Sequence, residues 1–274
     1  EEIAVYTAIY VCAAFSVLLL LGIIIYVFAK GARRVNWAFL TGVTSILHGT
    51  VGIAGNILNT LIIILLTMII TTPIGVGAAI YLNEYAKPGK LVTVIIFATE
   101  TLAGIPSIIF GLFGMLFFGQ LCHMGYSLLT GSLTLTLMVL PLVTRNTQEA
   151  LKTVPDSFRT GAVGLGAGKW YTIRTILLPS AMPGITGVIL AIGRIIGESA
   201  ALLFTAGSAH LLPKTFNAFL EKIFHSGGTL TIQLYLSASK GEFEVAFGIA
   251  VVLLVIVLLI NFGTKRLAKK LEKH

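Results

Sequence analysis

Residues 159–179 read RTGAVGLGAGKWYTIRTILLP. This polar, basic, glycine-containing island lies between long apolar runs. A chain of that kind leaves such a segment in water only where another molecule meets it there. The island ends at Leu178-Pro179, and the apolar run that follows carries two ionisable residues, Arg194 and Glu198. The first segment points to docking with a water-soluble partner, the second to a polar route through an apolar medium.

Outward from the island the composition is that of a membrane protein. Of 274 residues 56% are hydrophobic and 11% charged, against roughly 25% charged in soluble domains. Runs of about twenty apolar residues suffice to cross a hydrocarbon core of roughly 30 Å. The expectation is one all-α, polytopic domain over 1–274. Its six transmembrane helices fall at about 3–28, 57–82, 91–118, 128–143, 182–206 and 244–262, with the island as a loop over 145–179. The first run is too long for a signal-peptide core and lacks a basic flank. Pro73, Gly75 and Gly77 in the second span are tolerated because neighbouring helices re-satisfy the freed backbone and small residues allow close packing. GIPSIIFGLFG in the third reads as a kinked, tightly packed helix, with Glu100 at a depth the sequence leaves open.

Six spans put both termini on one side. Lys and Arg are more frequent in the loops and tail of that side, which places the termini and the island in the cytoplasm. Lys30, Arg33 and Arg34 are the exception, since this topology puts them outside. His48 stands alone and reads as an interfacial histidine, and the basic tail TKRLAKKLEKH as a helix at the membrane surface. The segment 207–243 is expected outside. The net charge of +8 is dispersed over these loops, so the orientation rule explains it better than a nucleic-acid partner. Cys12 and Cys122 offer neither metal spacing nor a disulfide framework, and no metal site or catalytic residue is expected.

GAGKW inside the island comes close to a phosphate-binding loop. That loop needs Gly, four residues, then Gly-Lys-Ser/Thr, because the hydroxyl holds Mg²⁺ and the glycines open the backbone. Val163 stands at the first position and Trp170 at the last, so both ends fail. GLGAG also lacks the dinucleotide spacing and follows no strand. No nucleotide site is expected in this chain.

What the island resembles is the EAA loop of ABC-type import permeases: Glu-Ala-Ala, three residues, Gly, nine residues, then Ile-x-Leu-Pro. Ala162, Gly166, Ile176, Leu178 and Pro179 fall at that spacing, and Lys169 lies within it. Thr160 and Gly161 replace the usual Glu and first Ala. A glycine at Gly166 permits a sharp turn between two short helices, which would present a knob to a partner's groove. PIGVGAAIYLNEYA, IPSIIFGLFG, VTRNTQEALKTVPDSFR and ILAIGRIIGESAALLFTAG extend the resemblance to the permease subunits of bacterial phosphate importers (PstA-type). The last stretch is similar to that family's GRxxGETAPLLFTA, with Ser199 for Thr and Ala201 for Pro. Gln148 stands where such permeases commonly carry an acidic residue.

The resemblance implies a type I importer permease fold in a bacterial cytoplasmic membrane. It also implies a separate ATPase dimer that binds ATP and Mg²⁺, so that this chain needs no cofactor. A second, PstC-type permease, an extracytoplasmic phosphate-binding protein and membrane lipid complete the implied partners. Sulfate and molybdate permeases share the island and are the alternative. A secondary transporter usually shows inverted repeats, and no clear repeat is visible.

Arg194 and Glu198 carry an argument of their own. Four apart on one helix they share a face and can pair. Ionisable groups within a span are functional hypotheses by default, because they need a cavity or a partner. A guanidinium matches phosphate bidentately, so Arg194 is the candidate waypoint on a translocation path and Glu198 the group that limits how tightly it holds an anion.

Overall fold

In the computed structural model residues 2–45, 50–185, 187–213 and 215–271 are described; the reading of His48 falls outside them. Helix α1 (Glu2–Gly31) is followed by a short α2 (Trp37–Thr41), started by Asn36, whose side chain accepts a hydrogen bond from Phe39 N at 2.8 Å. A small antiparallel hairpin follows, β1 (Val43–Ser45) and β2 (Thr50–Ile53), the one departure from an all-α chain among the described residues. Helix α3 (Ala54–Ile80) has 27 residues, about 40 Å at 1.5 Å per residue, and ends in a widened turn over Tyr81–Tyr85.

Helices α4 (Lys90–Gly104) and α5 (Ser107–Gly114, prolonged to Leu121) come next, then α6 (Leu128–Lys152). The island contains α7 (Asp156–Gly164) and α8 (Lys169–Thr172). Beyond it lie α9 (Leu178–Ile185), α10 (Gly187–Gly197), α11 (Ala200–Thr205), α12 (Phe216–Glu221), α13 (Leu230–Ser239) and α14 (Phe243–Leu271).

Among the described residues, four helical stretches are long and apolar enough to cross a membrane: Glu2–Arg34, Ala54–Tyr85, Leu128–Lys152 and Phe243–Gly263. Two of the six spans expected from the sequence take another form. The third is not one kinked helix: α4 and α5 meet at a 102° bend. Pro106 explains it, since proline drives the preceding residue out of the helical region, and Ile105 is extended at φ −73°, ψ 131°. The fifth, expected over 182–206, is broken after Gly197, where α10 ends and α11 starts again at Ala200. The basic tail, as far as Leu271, prolongs α14 in one continuous helix rather than forming a separate element.

Burial follows the physics of a lipid solvent. Hydrocarbon is as apolar as leucine, so helix contacts select small and hydroxyl-bearing residues rather than large apolar ones. In α1 none of the apolar window is buried, whereas in α6 67% is. The α3–α6 contact buries Thr60, Thr67, Thr71, Thr130, Ser132 and Thr134 beside Ile62, Ile63, Leu135 and Val139. Thr134 and Thr136 return their hydroxyls to carbonyls one turn back, at 2.8 Å, so these two are satisfied within their own helix, while the hydroxyls of Thr71 and Ser132 are buried without a partner among the described residues.

Polar contacts identify the two ends of the bundle. At one end Glu84, closing α3, meets Arg159 of the island at 2.8 Å. At the other, Asn56 and Asn59 at the start of α3 each donate to the Gly228 carbonyl at 3.0 Å. There too Ser127 N donates to Thr205 O and Leu128 N to His225 O, both at 3.1 Å. The loop 81–90 and the island therefore share an end, and residues 122–128 and 205–229 share the opposite one, as the alternation of spans requires.

Candidate functional site

Two assemblies gather chemistry. The first is the island itself. Gly166 sits at φ +78°, the left-handed region that only glycine enters without cost, and turns the chain between α7 and α8. Around that turn apolar side chains stand in the open: Leu165 is 90% exposed and Val163 67%, with Phe158, Trp170 and Tyr171 also exposed. A cap of large exposed apolar residues has the composition of an interaction surface.

Behind this cap the island is held to its own subunit. Arg159 donates to Glu84 Oε1 at 2.8 Å, to Asp156 Oδ1 at 3.0 Å, and to the carbonyls of Val154 and Leu151 at 3.0 and 3.1 Å. The Glu84 carboxylate beside it holds the guanidinium above its ordinary pKa. Lys169 lies with Nζ 4.6 Å from the centre of the Tyr85 ring.

The island residues singled out by sequence divide accordingly. Gly166 makes the turn and Lys169 faces the end of α3. Ala162 is buried, Ile176 and Leu178 are half-buried, and Pro179 is exposed. The outward side chains Val163 and Leu165 were not among them. Their only sequence signal was an apolar residue in a polar loop.

The second assembly is a cavity of about 390 Å³ between α4, α6 and α10, lined by Thr99, Glu100, Ala103, Met138, Pro141, Leu142, Arg145, Asn146, Glu149 and Arg194. Arg145 and Glu149, both largely exposed, pair at 3.0 Å one turn apart. Arg194, which lines this cavity, makes no ion pair or side-chain hydrogen bond among the described residues. Glu100, whose depth was open from sequence, stands on the same wall system.

The expected Arg194–Glu198 pair does not form. Helix α10 stops at Gly197, so Glu198 is no longer one turn along the same helix. Its Oε1 instead accepts from Ala201 N at 3.2 Å at the start of α11, and its carbonyl accepts from Thr231 Oγ1 at 2.9 Å. Glu198 ties the α10–α11 break to α13, while Arg194 keeps company with Glu100, Arg145 and Glu149. Cys12 and Cys122 are free and exposed, and no group of ligating residues could hold a metal among the described residues.

The profile of a family described as "Binding-protein-dependent transport system inner membrane component" matches residues 71–274. A probable ABC transporter permease protein, YqgI of Bacillus subtilis (strain 168), is 36% identical over 273 residues, covering 96% of this chain and 93% of the relative. The phosphate transport system permease protein PstA of Xylella fastidiosa (strain Temecula1) is 35% identical over 246 residues, covering 87% and 82%. Among solved structures, a bacterial alginate ABC transporter bound to its periplasmic protein superposes with TM-score 0.70 at 17% identity, over 97% of this chain and 95% of that one. The inward-facing MetNI methionine ABC transporter gives 0.60 at 20%, over 80% and 94%. At such identities these two share the fold, that of ABC type I importer permeases.

Proposed function

Because the chain belongs to the binding-protein-dependent transport system inner membrane component family and is thus a multi-pass ABC importer permease, we propose that it carries inorganic phosphate across the cytoplasmic membrane. The PstA relatives support phosphate as the substrate. Within this chain the observation that carries the reading is Arg194, a cation with unspent donors on a cavity between three helices of an apolar bundle. An oxyanion in transit needs such a waypoint, and a guanidinium offers two parallel donors to phosphate. Glu100 and Glu149 on the same cavity keep the site from becoming a trap, the role the sequence had suggested for Glu198. Glu198 acts instead by holding the break that presents Arg194.

Work enters at the island. A separate ATPase dimer, which binds ATP and Mg²⁺, receives the apolar cap around Leu165. The Arg159–Glu84 pair passes its closure to α3, and the switch between outward and inward access follows as a movement between two packed states. The remaining partners are a second, PstC-type permease that completes the pore and an extracytoplasmic phosphate-binding protein at the end that carries residues 205–229. The termini and island lie in the cytoplasm.

Replacing Arg194 by Met tests the reading. ATP-dependent phosphate uptake should be abolished while membrane insertion and ATPase binding persist. Normal uptake by that variant would remove the cavity from the translocation path.

A further inference from the structure

Three basic residues stand against the orientation rule, and the structure gathers them. Lys30, Arg33 and Arg34 line a cavity of about 1010 Å³ at the end of the bundle away from the island, together with Tyr26, Glu244 and Phe247. The cavity forms where α1 crosses α14. Gly31 is the one buried residue of α1, and a Cβ there would lie 2.2 Å from the Phe247 carbonyl oxygen. The Tyr26 ring meets Phe247 edge-on at 5.7 Å. The long apolar window of α1 on the N-terminal side of this crossing is exposed on every face, as a helix bathed in lipid would be.

Among the described residues, the charges of this cavity are not neutralised. Glu244 pairs with none of the three cations among the described residues. Arg34 lays its stem on Gly248 and its guanidinium 5.8 Å from the centre of the Phe39 ring, and its Nε is buried without a hydrogen-bond partner. The result is three cations against one carboxylate, with aromatic rings on the wall, at the end of a membrane-spanning helix. Aromatic rings and basic side chains together are the composition of a headgroup-level belt. Guanidinium groups in such a place select phosphate oxygens.

We propose that this cavity binds the phosphate group of an anionic phospholipid, whose acyl chains lie along the exposed flank of α1. A free anion satisfies the same cations but leaves that apolar flank uncovered, so the lipid accounts for both halves of the site. The bound lipid fastens α1, which otherwise touches the bundle chiefly at its C-terminal end, to the start of α14. This inference does not depend on which oxyanion the permease carries.

The test uses the full transporter, delipidated in detergent and titrated with labelled phosphatidylglycerol, with phosphatidylcholine and inorganic phosphate as competitors. One phosphatidylglycerol should bind saturably per chain and resist both competitors. In the variant Lys30→Gln/Arg33→Gln, which alters two exposed side chains and leaves Arg34 in its packing, binding should weaken by about 30-fold, from the contribution of two basic residues near a membrane surface. Displacement by inorganic phosphate would assign the cavity to a free anion and overturn the lipid. Displacement by phosphatidylcholine, or equal binding by the variant and the parent, would overturn it as well.

Discussion

Leu165 gives the sharpest test of how this permease meets its ATPase. Its side chain is 90% exposed at the turn made by Gly166, so trimming it disturbs little inside the subunit. If the cap enters a groove on the ATPase, Leu165→Ala removes three carbons from that contact. At about 0.8 kcal/mol per buried carbon the loss is about 2.4 kcal/mol, which is about 50-fold in affinity at 1.4 kcal/mol per decade. A loss of that size from one truncation is typical of a central interface residue. The assay is binding of the purified ATPase subunit to the permease in lipid nanodiscs, with thermal unfolding of the permease as the control. The expected result is weaker binding at an unchanged unfolding midpoint. Affinity within twofold of the parent would show that the cap is not the docking surface.

Two further substitutions probe the supports of the two assemblies. Arg159→Met leaves Glu84, whose side chain is 8% exposed, with Asn83 as its remaining side-chain partner. Breaking a buried pair costs about 3–5 kcal/mol, discounted to about 2 kcal/mol because Arg159 is 23% exposed and partly screened. Thermal unfolding should register that loss, and adding Glu84→Gln should recover part of it; additive losses would mean that the two residues are not coupled. Gly31→Val forces a side chain into the Phe247 backbone and should cost about 1–3 kcal/mol as overpacking, read as a lower unfolding midpoint. An unchanged midpoint would contradict the close crossing of α1 and α14.

What could be read from the sequence and what could not divides along physical lines. Composition and apolar run length establish the membrane class, because hydrocarbon thickness acts on every residue of a span. The Gly166 turn was legible because only one residue type enters that backbone region freely. The sharp break after Ile105 was partly legible: Pro106 announces a kink, but whether a membrane helix bends or breaks at proline depends on neighbours that re-satisfy its backbone. The Arg194–Glu198 pairing was an inference from helical spacing, and it failed because α10 ends between the two residues. Arg159 and Glu84 lie 75 residues apart, and no local pattern joins them. Glu100 likewise came to share a cavity with Arg194 only once α4, α6 and α10 were assembled around it. Exposure of Val163 and Leu165 is a property of the folded turn, which a hydropathy pattern cannot distinguish from a buried face.

The central claim is that this permease moves phosphate under ATP. Its most direct test is the complete transporter reconstituted in proteoliposomes, with ATP on the side of the island and labelled phosphate delivered by its binding protein on the other. The account predicts uptake that requires ATP and withstands an excess of sulfate. Uptake without ATP, or uptake of sulfate in preference to phosphate, would contradict it.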